Sequence, residues 1–467
     1  MDAKKLTEWL DAKANELGVP GVAIGVYHQG KEYYAYTGVT SVDNPLPVDE
    51  NTLFLYGSTQ KTYTGTAIMV LVDQGKVDLD APVKRYVPEL TLKDKHTEEN
   101  VTVLQILNHT SGWQGDAREE GAGDGDDAIA RFVESMADIE QVTPLGSAFS
   151  YNNAALNLAG RVIEKVTGQV YEKAMRELLL DPLGLSDTLF FPAEVMVRRF
   201  AVGHHKNKEE QVVVHKTYAL GRCSSPAGGF AVSATAPDQI AWAKFHLGDG
   251  KNAEGTQVLS KALLDKMKQP TFEIAGSALG DSVGISWFLR DVEGVQLCSH
   301  GGDVIGQHSE FVMCPEKDFT VIVLTNCDGS GSQLKDEAVK FCLESFIGVI
   351  DKDPEPVRLD DEALAPYVGT YETVAVFAHI AAQDGGLVLT VGIKPAMRAE
   401  LEQQEGGVPE QPPIPLGMLA ADSDFYVVTD GAAKGMRGYF VRDTDGNVES
   451  VHIGGRLATR AKEHVPA

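Results

Sequence analysis

Thr52-Leu53-Phe54-Leu55-Tyr56-Gly57-Ser58-Thr59-Gln60-Lys61 is the stretch whose reading decides the fold. Six residues, mostly apolar, lead into a serine, and a lysine follows three positions later. The next run, Ala67-Ile68-Met69-Val70-Leu71-Val72, is too apolar to lie on a surface, and Gly75 marks a helix stop. The pattern predicts a buried helix with Ser58 at its entry. On such a helix positions i and i+3 share a face, so the Lys61 ammonium would sit beside the Ser58 hydroxyl. A serine hydroxyl is a poor nucleophile until a base adjoins it, and a lysine can be that base. A helix start also favours negative charge that develops nearby.

The S-x-x-K pattern alone is weak, and the chain carries a second copy, Ser332-Gln333-Leu334-Lys335. Ser332 opens an amphipathic stretch (Leu334, Ala338, Phe341, Cys342, Phe346), where an N-cap role accounts for it. Two further patterns favour Ser58. Tyr-x-Asn occurs once, at Tyr151 and Asn153, before a helical pattern from Ala154 to Thr167. By itself it reads as a tyrosine followed by a capping asparagine. Downstream of Ser58 it reads as a proton shuttle (Tyr151) and a group that orients Lys61 and hydrogen-bonds a substrate amide (Asn153). His-x-Gly occurs at His28, His246, His300 and His452. His28 falls at a hairpin tip, His246 near a helix end and His452 in a late strand. Only His300 closes a strand (295–299) and runs into paired glycines, which let a ligand approach the backbone.

With Ser58-x-x-Lys61, Tyr151-x-Asn153 and His300-Gly301-Gly302 in that order, the chain resembles the serine β-lactamase/penicillin-binding-protein superfamily. Within it, the class C-like branch of D-aminopeptidases and esterases fits best. Leu107-Asn108-His109-Thr110-Ser111-Gly112, Pro182-Leu183-Gly184-Leu185 and Pro226-Ala227-Gly228-Gly229 are similar too. The resemblance covers about residues 1–350. It implies an acyl-enzyme on Ser58, with Lys61 and Tyr151 as the acid/base pair. It also implies that Asn153, His300, Gly301 and Gly302 bind substrate, and that the N–H groups of Ser58 and Asp303 form an oxyanion hole. The chain departs from the penicillin-hydrolysing members in having no Lys-Thr/Ser-Gly triplet. A mostly neutral histidine anchors a substrate carboxylate more weakly than a lysine. Small esters, or amides and peptides with D-residues, are therefore the expected substrates. A β-lactamase or DD-carboxypeptidase is the alternative, and a non-catalytic ligand-binding descendant is the third reading.

The 467 residues exceed one ordinary core, so two domains are expected. The net charge of −26 argues against nucleic acid and anionic membrane as partners. No apolar run approaches the ~20 residues of a membrane span. Met1–Glu8 opens a charged amphipathic helix rather than a leader, and the five cysteines (223, 298, 314, 327, 342) have no metal-type spacing. The expectation is a cytoplasmic protein with reduced thiols and with neither metal nor cofactor. Gly121–Asp127 resembles a calcium loop only superficially and reads as a solvated loop.

The expected fold is α+β. A helix (4–17) and a hairpin (22–26/32–36) come first, and helices run from Ser58 to about Asp181. Strands follow at 284–291, 295–300, 310–314 and 319–325, then a helix at 332–347. That order predicts one antiparallel sheet assembled from distant halves, flanked by helices, with an all-helical insertion. Asp351-Lys352-Asp353-Pro354-Glu355-Pro356 opens a linker (351–364) after the hydrolase-like domain (1–350). Residues 365–467 then read as β only, with strands at 367–373, 376–382, 387–392, 424–429, 436–442 and 448–453 and a loop at 400–416. They suggest a small antiparallel barrel like the lipocalin-like modules of some relatives. Such a barrel can bind a ligand, cover the cleft or join copies into a homo-oligomer.

Overall fold

A computed structural model of the chain describes residues 2–115, 123, 125–216, 226–230, 232–374, 376–395, 398, 412–431 and 433–461. Cys223 and residues 121, 122 and 124 of the stretch 121–127 lie outside the described residues. The architecture is mixed α+β: a helix-flanked antiparallel sheet and a closed eight-stranded barrel. The sheet runs in the order Lys31–Gly38, Gly21–His28, Phe319–Thr325, Gln307–Cys314, Val295–Val304, Phe288–Val292, Gly280–Val283, Phe272–Ser277. Its second and third strands lie almost 300 residues apart in the chain, with Val22 opposite Thr325 and His28 opposite Phe319.

Contacts divide the chain into two units. One comprises residues 1–148, 152–272 and 282–351, the other 149–151, 273–281 and 352–467. In the first unit strand alternation separates two apolar layers. Val22, Ile24, Val26, Phe319, Val321 and Val323 pack with Leu6 and Leu10 of the first helix (Ala3–Leu17) and with Leu334, Ala338 and Cys342 of the last (Ser330–Cys342). The opposite face, with Ala23, Ile322 and Leu324, packs on the helix Gln60–Asp73 and on the helical insertion. A strand such as Phe319–Thr325, buried along its whole length, is therefore apolar on both sides and central.

Several expectations need correction. The strand expected at 284–291 is broken by a turn, in which Gly284 N–H donates to Trp287 O (2.8 Å) and Ser286 has φ 58°. Ile285 and Trp287 are buried in the core, so the turn carries a strand's apolar pattern. The strand Phe272–Ser277 was not anticipated. Ser332 is not a helix cap, because the last helix begins at Ser330 behind Gly329, whose φ is 69°. The Tyr-x-Asn helix is Asn153–Thr167, and its cap is Asn152, whose side chain accepts from Ala155 N–H at 2.8 Å.

In the second unit the barrel strands pair in consecutive order and close through Tyr371 opposite Arg460. Tyr371, Ile380, Leu389, Leu416, Met418, Phe440 and Val451 fill its interior. Six strands were expected and eight are present. Ile414–Met418 begins inside the stretch taken as a loop (400–416) and runs two residues past it, with Pro415 and Gly417 disguising it, and Arg456–Arg460 was missed. Within the stretch taken as a linker, Asp361–Leu364 is helical and Leu364 is buried in the barrel core.

Candidate active site

From Thr52 to Leu71 every residue is buried except Ser58. Ser58 lies in a single 3-10 turn (Gly57–Thr59) that feeds the helix Gln60–Asp73. Lys61, fully buried, directs Nζ to Ser58 Oγ at 2.9 Å and to the carbonyl oxygen of Gly228 at 2.6 Å. The i, i+3 geometry read from the sequence is thus present, and a backbone acceptor fixes the lysine from its far side.

Two close backbone approaches shape the mouth of this turn. A Cβ built on Gly302 would lie 2.6 Å from Ser58 N and 2.1 Å from Tyr56 O, and one on Gly57 would lie 2.8 Å from Asp303 N. Gly57 also has φ 53°, a left-handed conformation that glycine adopts without strain. Only glycine at both positions lets the strand Val295–Val304 cross the Ser58 turn so closely, and the amides of Ser58 and Asp303 meet at that crossing. Side chains tie the crossing together. Thr59 Oγ1 donates to His300 O (3.1 Å) and lies 2.9 Å from Ser309 Oγ, which donates to Tyr56 O (2.7 Å).

The His300 ring is 1% exposed and packs on Phe288, with ring centroids 4.8 Å apart. Its Nδ1 lies 2.7 Å from Gly301 O. Burial, together with the charge of Lys61, pushes its pKa down to about 3, so the ring is neutral at working pH. The His300–Asp303 segment therefore presents backbone beside Ser58 and keeps its imidazole inside. Asn153 starts its helix in the same unit, with its N–H donating to Gly115 O (2.9 Å). Tyr151 is grouped with the second unit, where its N–H donates to Gly455 O (2.9 Å) and the Arg456 guanidinium lies 5.1 Å from its ring centroid.

Sequence reading missed the supporting groups. His109 Nδ1 accepts from Asn152 N–H (3.0 Å), and Asn152 Oδ1 accepts from Trp113 Nε1 (3.2 Å), which explains why the Leu107–Gly112 stretch accompanies the Tyr-Asn-Asn loop. Gln60 Nε2 donates to Tyr171 OH (2.9 Å), and Thr64 Oγ1 reaches both that hydroxyl and Ala227 O at 2.8 Å. Gln60 and Thr64, polar residues at i and i+4 on a buried helix, were the available signal, because such groups need partners. Among the described residues, no group of three or more His, Cys, Asp or Glu could hold a metal ion, and no helix is long and apolar enough to cross a membrane.

Comparison with known proteins identifies the family. A family model described as Beta-lactamase matches residues 6–342. Penicillin-binding protein 4 of Amycolatopsis lactamdurans is 33% identical over 376 residues, covering 78% of this chain and 96% of that protein. The crystal structure of SurE superposes with a TM-score of 0.74 at 24% identity, covering 98% of this chain and 99% of that one. The octameric penicillin-binding protein homologue from Pyrococcus abyssi gives a TM-score of 0.65 at 23% identity, covering 98% and 100%. The chain belongs to the beta-lactamase family, a group of serine hydrolases.

Proposed function

We propose that the protein is a serine hydrolase that works through an acyl-enzyme on Ser58 and cleaves small carboxyl esters, or amides and peptides with D-residues. The observation that carries this reading is the 2.9 Å contact between Lys61 Nζ and Ser58 Oγ, at the one accessible residue of a buried run. Ser58 Oγ attacks the substrate carbonyl carbon as its proton passes to the Lys61–Tyr151 pair acting as general base. The oxyanion takes hydrogen bonds from the N–H groups of Ser58 and Asp303, donors of a kind worth about 3 kcal/mol each at a transition state. Collapse breaks the bond to the alcohol or amine, which leaves with a proton returned through Lys61 and Tyr151. Water then attacks the ester on Ser58; the same pair takes the water proton and returns it to Ser58 Oγ as the acyl–oxygen bond breaks and the acid leaves. In this scheme Asn153 and the backbone of His300, Gly301 and Gly302 hold the acyl chain.

The absence of a Lys-Thr/Ser-Gly triplet and the buried neutral ring of His300 support esters and D-amides over carboxylate-bearing β-lactams. SurE has also been solved with D-Leu. The 33% identity to a penicillin-binding protein favours a second reading, DD-carboxypeptidase or β-lactamase activity. We read the C-terminal barrel as a lipocalin-like module and a surface for homo-oligomer assembly, in keeping with the octameric homologue.

Intact-protein mass after exposure to a fluorophosphonate tests the mechanism. One adduct on Ser58 is expected, absent in Ser58→Ala and unchanged in Ser332→Ala. Persistent labelling of Ser58→Ala would remove the assignment.

A further inference from the structure

The second S-x-x-K copy leads away from the nucleophile to a chain of charged groups on Asp303. Asp303 sits near the end of the strand Val295–Val304, which turns through Ile305-Gly306 into Gln307–Cys314. Both turn residues have positive φ, 43° and 69°, as a two-residue type I′ hairpin requires. In such a hairpin the flanking pair Val304–Gln307 is hydrogen-bonded, and alternation makes Gly302–Ser309 hydrogen-bonded and Asp303–His308 not. The Asp303 N–H therefore points away from the partner strand. On that open side the neighbouring strand Phe288–Val292 pairs only with residues 295–299. A backbone amide free to meet a ligand is thus left without a ladder bond to hold it.

Side chains supply the hold. His308 Nδ1 contacts Asp303 Oδ1 at 2.5 Å, and His308 Nε2 faces Asp328 Oδ1 at 3.3 Å, an ionic contact without hydrogen-bond alignment. Asp328 Oδ2 meets His215 Nε2 at 2.8 Å. Lys335 lies 3.8 Å from Asp303 Oδ1 and 3.1 Å from Glu310 Oε2. Among the described residues, Asp303, Asp328, Lys335 and Asp336 act on His308 by charge, with Glu310 two positions along the same strand and paired with Lys335. They come from the two hairpin strands, the loop after Phe319–Thr325 and the last helix. The His308 and Lys335 side chains are each 9% exposed, whereas that of Asp303 is 65% exposed beside the nucleophile turn.

We propose that protonated His308 is a positioning residue, which bridges Asp303 and Asp328, clamps the free end of the motif strand and keeps the Asp303 N–H aimed beside that of Ser58. The inference rests on the reading of those two amides as the oxyanion site. Burial alone would lower the His308 pKa, but its contacts with Asp303 and Asp328 outweigh burial and the opposing charge of Lys335, and raise it. Asp303 keeps an exposed edge but stands in desolvating surroundings, which Lys335 and His308 overcome, holding it down at about 2. For a histidine with a raised folded-state pKa, the charged clamp is complete below the ordinary histidine range. It is lost as pH rises through the raised value. Turnover should carry that loss as an alkaline limb.

The test uses the full chain with p-nitrophenyl butyrate across pH, together with fluorophosphonate labelling. His308→Gln should lower kcat by roughly 10- to 100-fold, as misplacement of a reacting geometry does. KM should change little, and the His308-dependent alkaline limb should vanish. A limb and kcat equal to wild type would overturn the proposal. If His308→Gln does not fold, Asp328→Asn should move the limb to lower pH, and an unmoved limb overturns it equally. Independently of turnover, the Asp303 amide ¹H–¹⁵N resonance should titrate with the His308 ring, and an amide indifferent to that titration also refutes the clamp. Unlabelled Ser58 in the wild type would instead count against the hydrolase reading, which the amide titration does not depend on.

Discussion

Gly302→Ala tests the close crossing directly. The new methyl would lie 2.1 Å from Tyr56 O, 2.6 Å from Ser58 N and 2.9 Å from Gly57 C, all of them backbone atoms that no rotamer change can move. Ordinary van der Waals contact begins near 3.4 Å, so the two backbones must part by about 1 Å. Overpacking of this kind costs about 1–3 kcal/mol of stability, a shift of several degrees in Tm. The larger effect should fall on chemistry. A displacement of about 1 Å in a reacting geometry costs on the order of 10²-fold in rate, and loss of one oxyanion donor costs 10²- to 10³-fold. We expect kcat for a p-nitrophenyl ester to fall by about 10²-fold or more, with slower phosphonate labelling of Ser58. Gly25→Ala is the overpacking control, because its methyl meets the Ile240 side chain at 2.8 Å in the core and not at the crossing. Rates within threefold of wild type for Gly302→Ala, or equal losses in both variants, would refute the reasoning.

Three further outcomes follow from the same site and its surroundings. Lys61→Ala and Tyr151→Phe should each lower kcat by ~10²–10⁴-fold, and the double variant should lose far less than the product, whereas multiplying effects would contradict a shared proton path. Glu98 is held down at about 2 by Lys84, Lys95 and the N–H of Leu92, so its contribution to stability is present above the ordinary glutamate pKa and fades as pH falls through about 2. The melting temperatures of wild type and Glu98→Gln should accordingly differ at pH 7 and converge near pH 2. In a side-by-side panel, p-nitrophenyl esters or D-amino-acid amides should show kcat/KM about ten- to a hundredfold above penicillins, since a charge-assisted hydrogen bond worth roughly 1.5–3 kcal/mol is missing. A β-lactam preferred over every ester and D-amide would overturn the reading of His300.

Local features were legible in the sequence because they depend on local geometry. The contact of Ser58 with Lys61 follows from the pitch of one helix, and the apolar run 67–72 announces that this helix is buried. The hairpin Gly21–His28/Lys31–Gly38 and the alternation of the barrel strands are likewise set by residues within a few positions of each other. Where local pattern and tertiary role diverged, the reading failed. Ile285 and Trp287 are apolar because they fill the core from a turn, and Pro415 and Gly417 sit in a strand that the barrel closes around.

The burial of His300, and the meeting of Gly57 with Gly302, were decided only by the tertiary structure. So was the chain from Lys335 through Asp303, His308 and Asp328 to His215, which joins segments more than a hundred residues apart. The physical reason is range. Helix pitch and strand alternation act over a few residues, whereas burial, close backbone approach and charge pairing belong to whichever segments the sheet brings side by side.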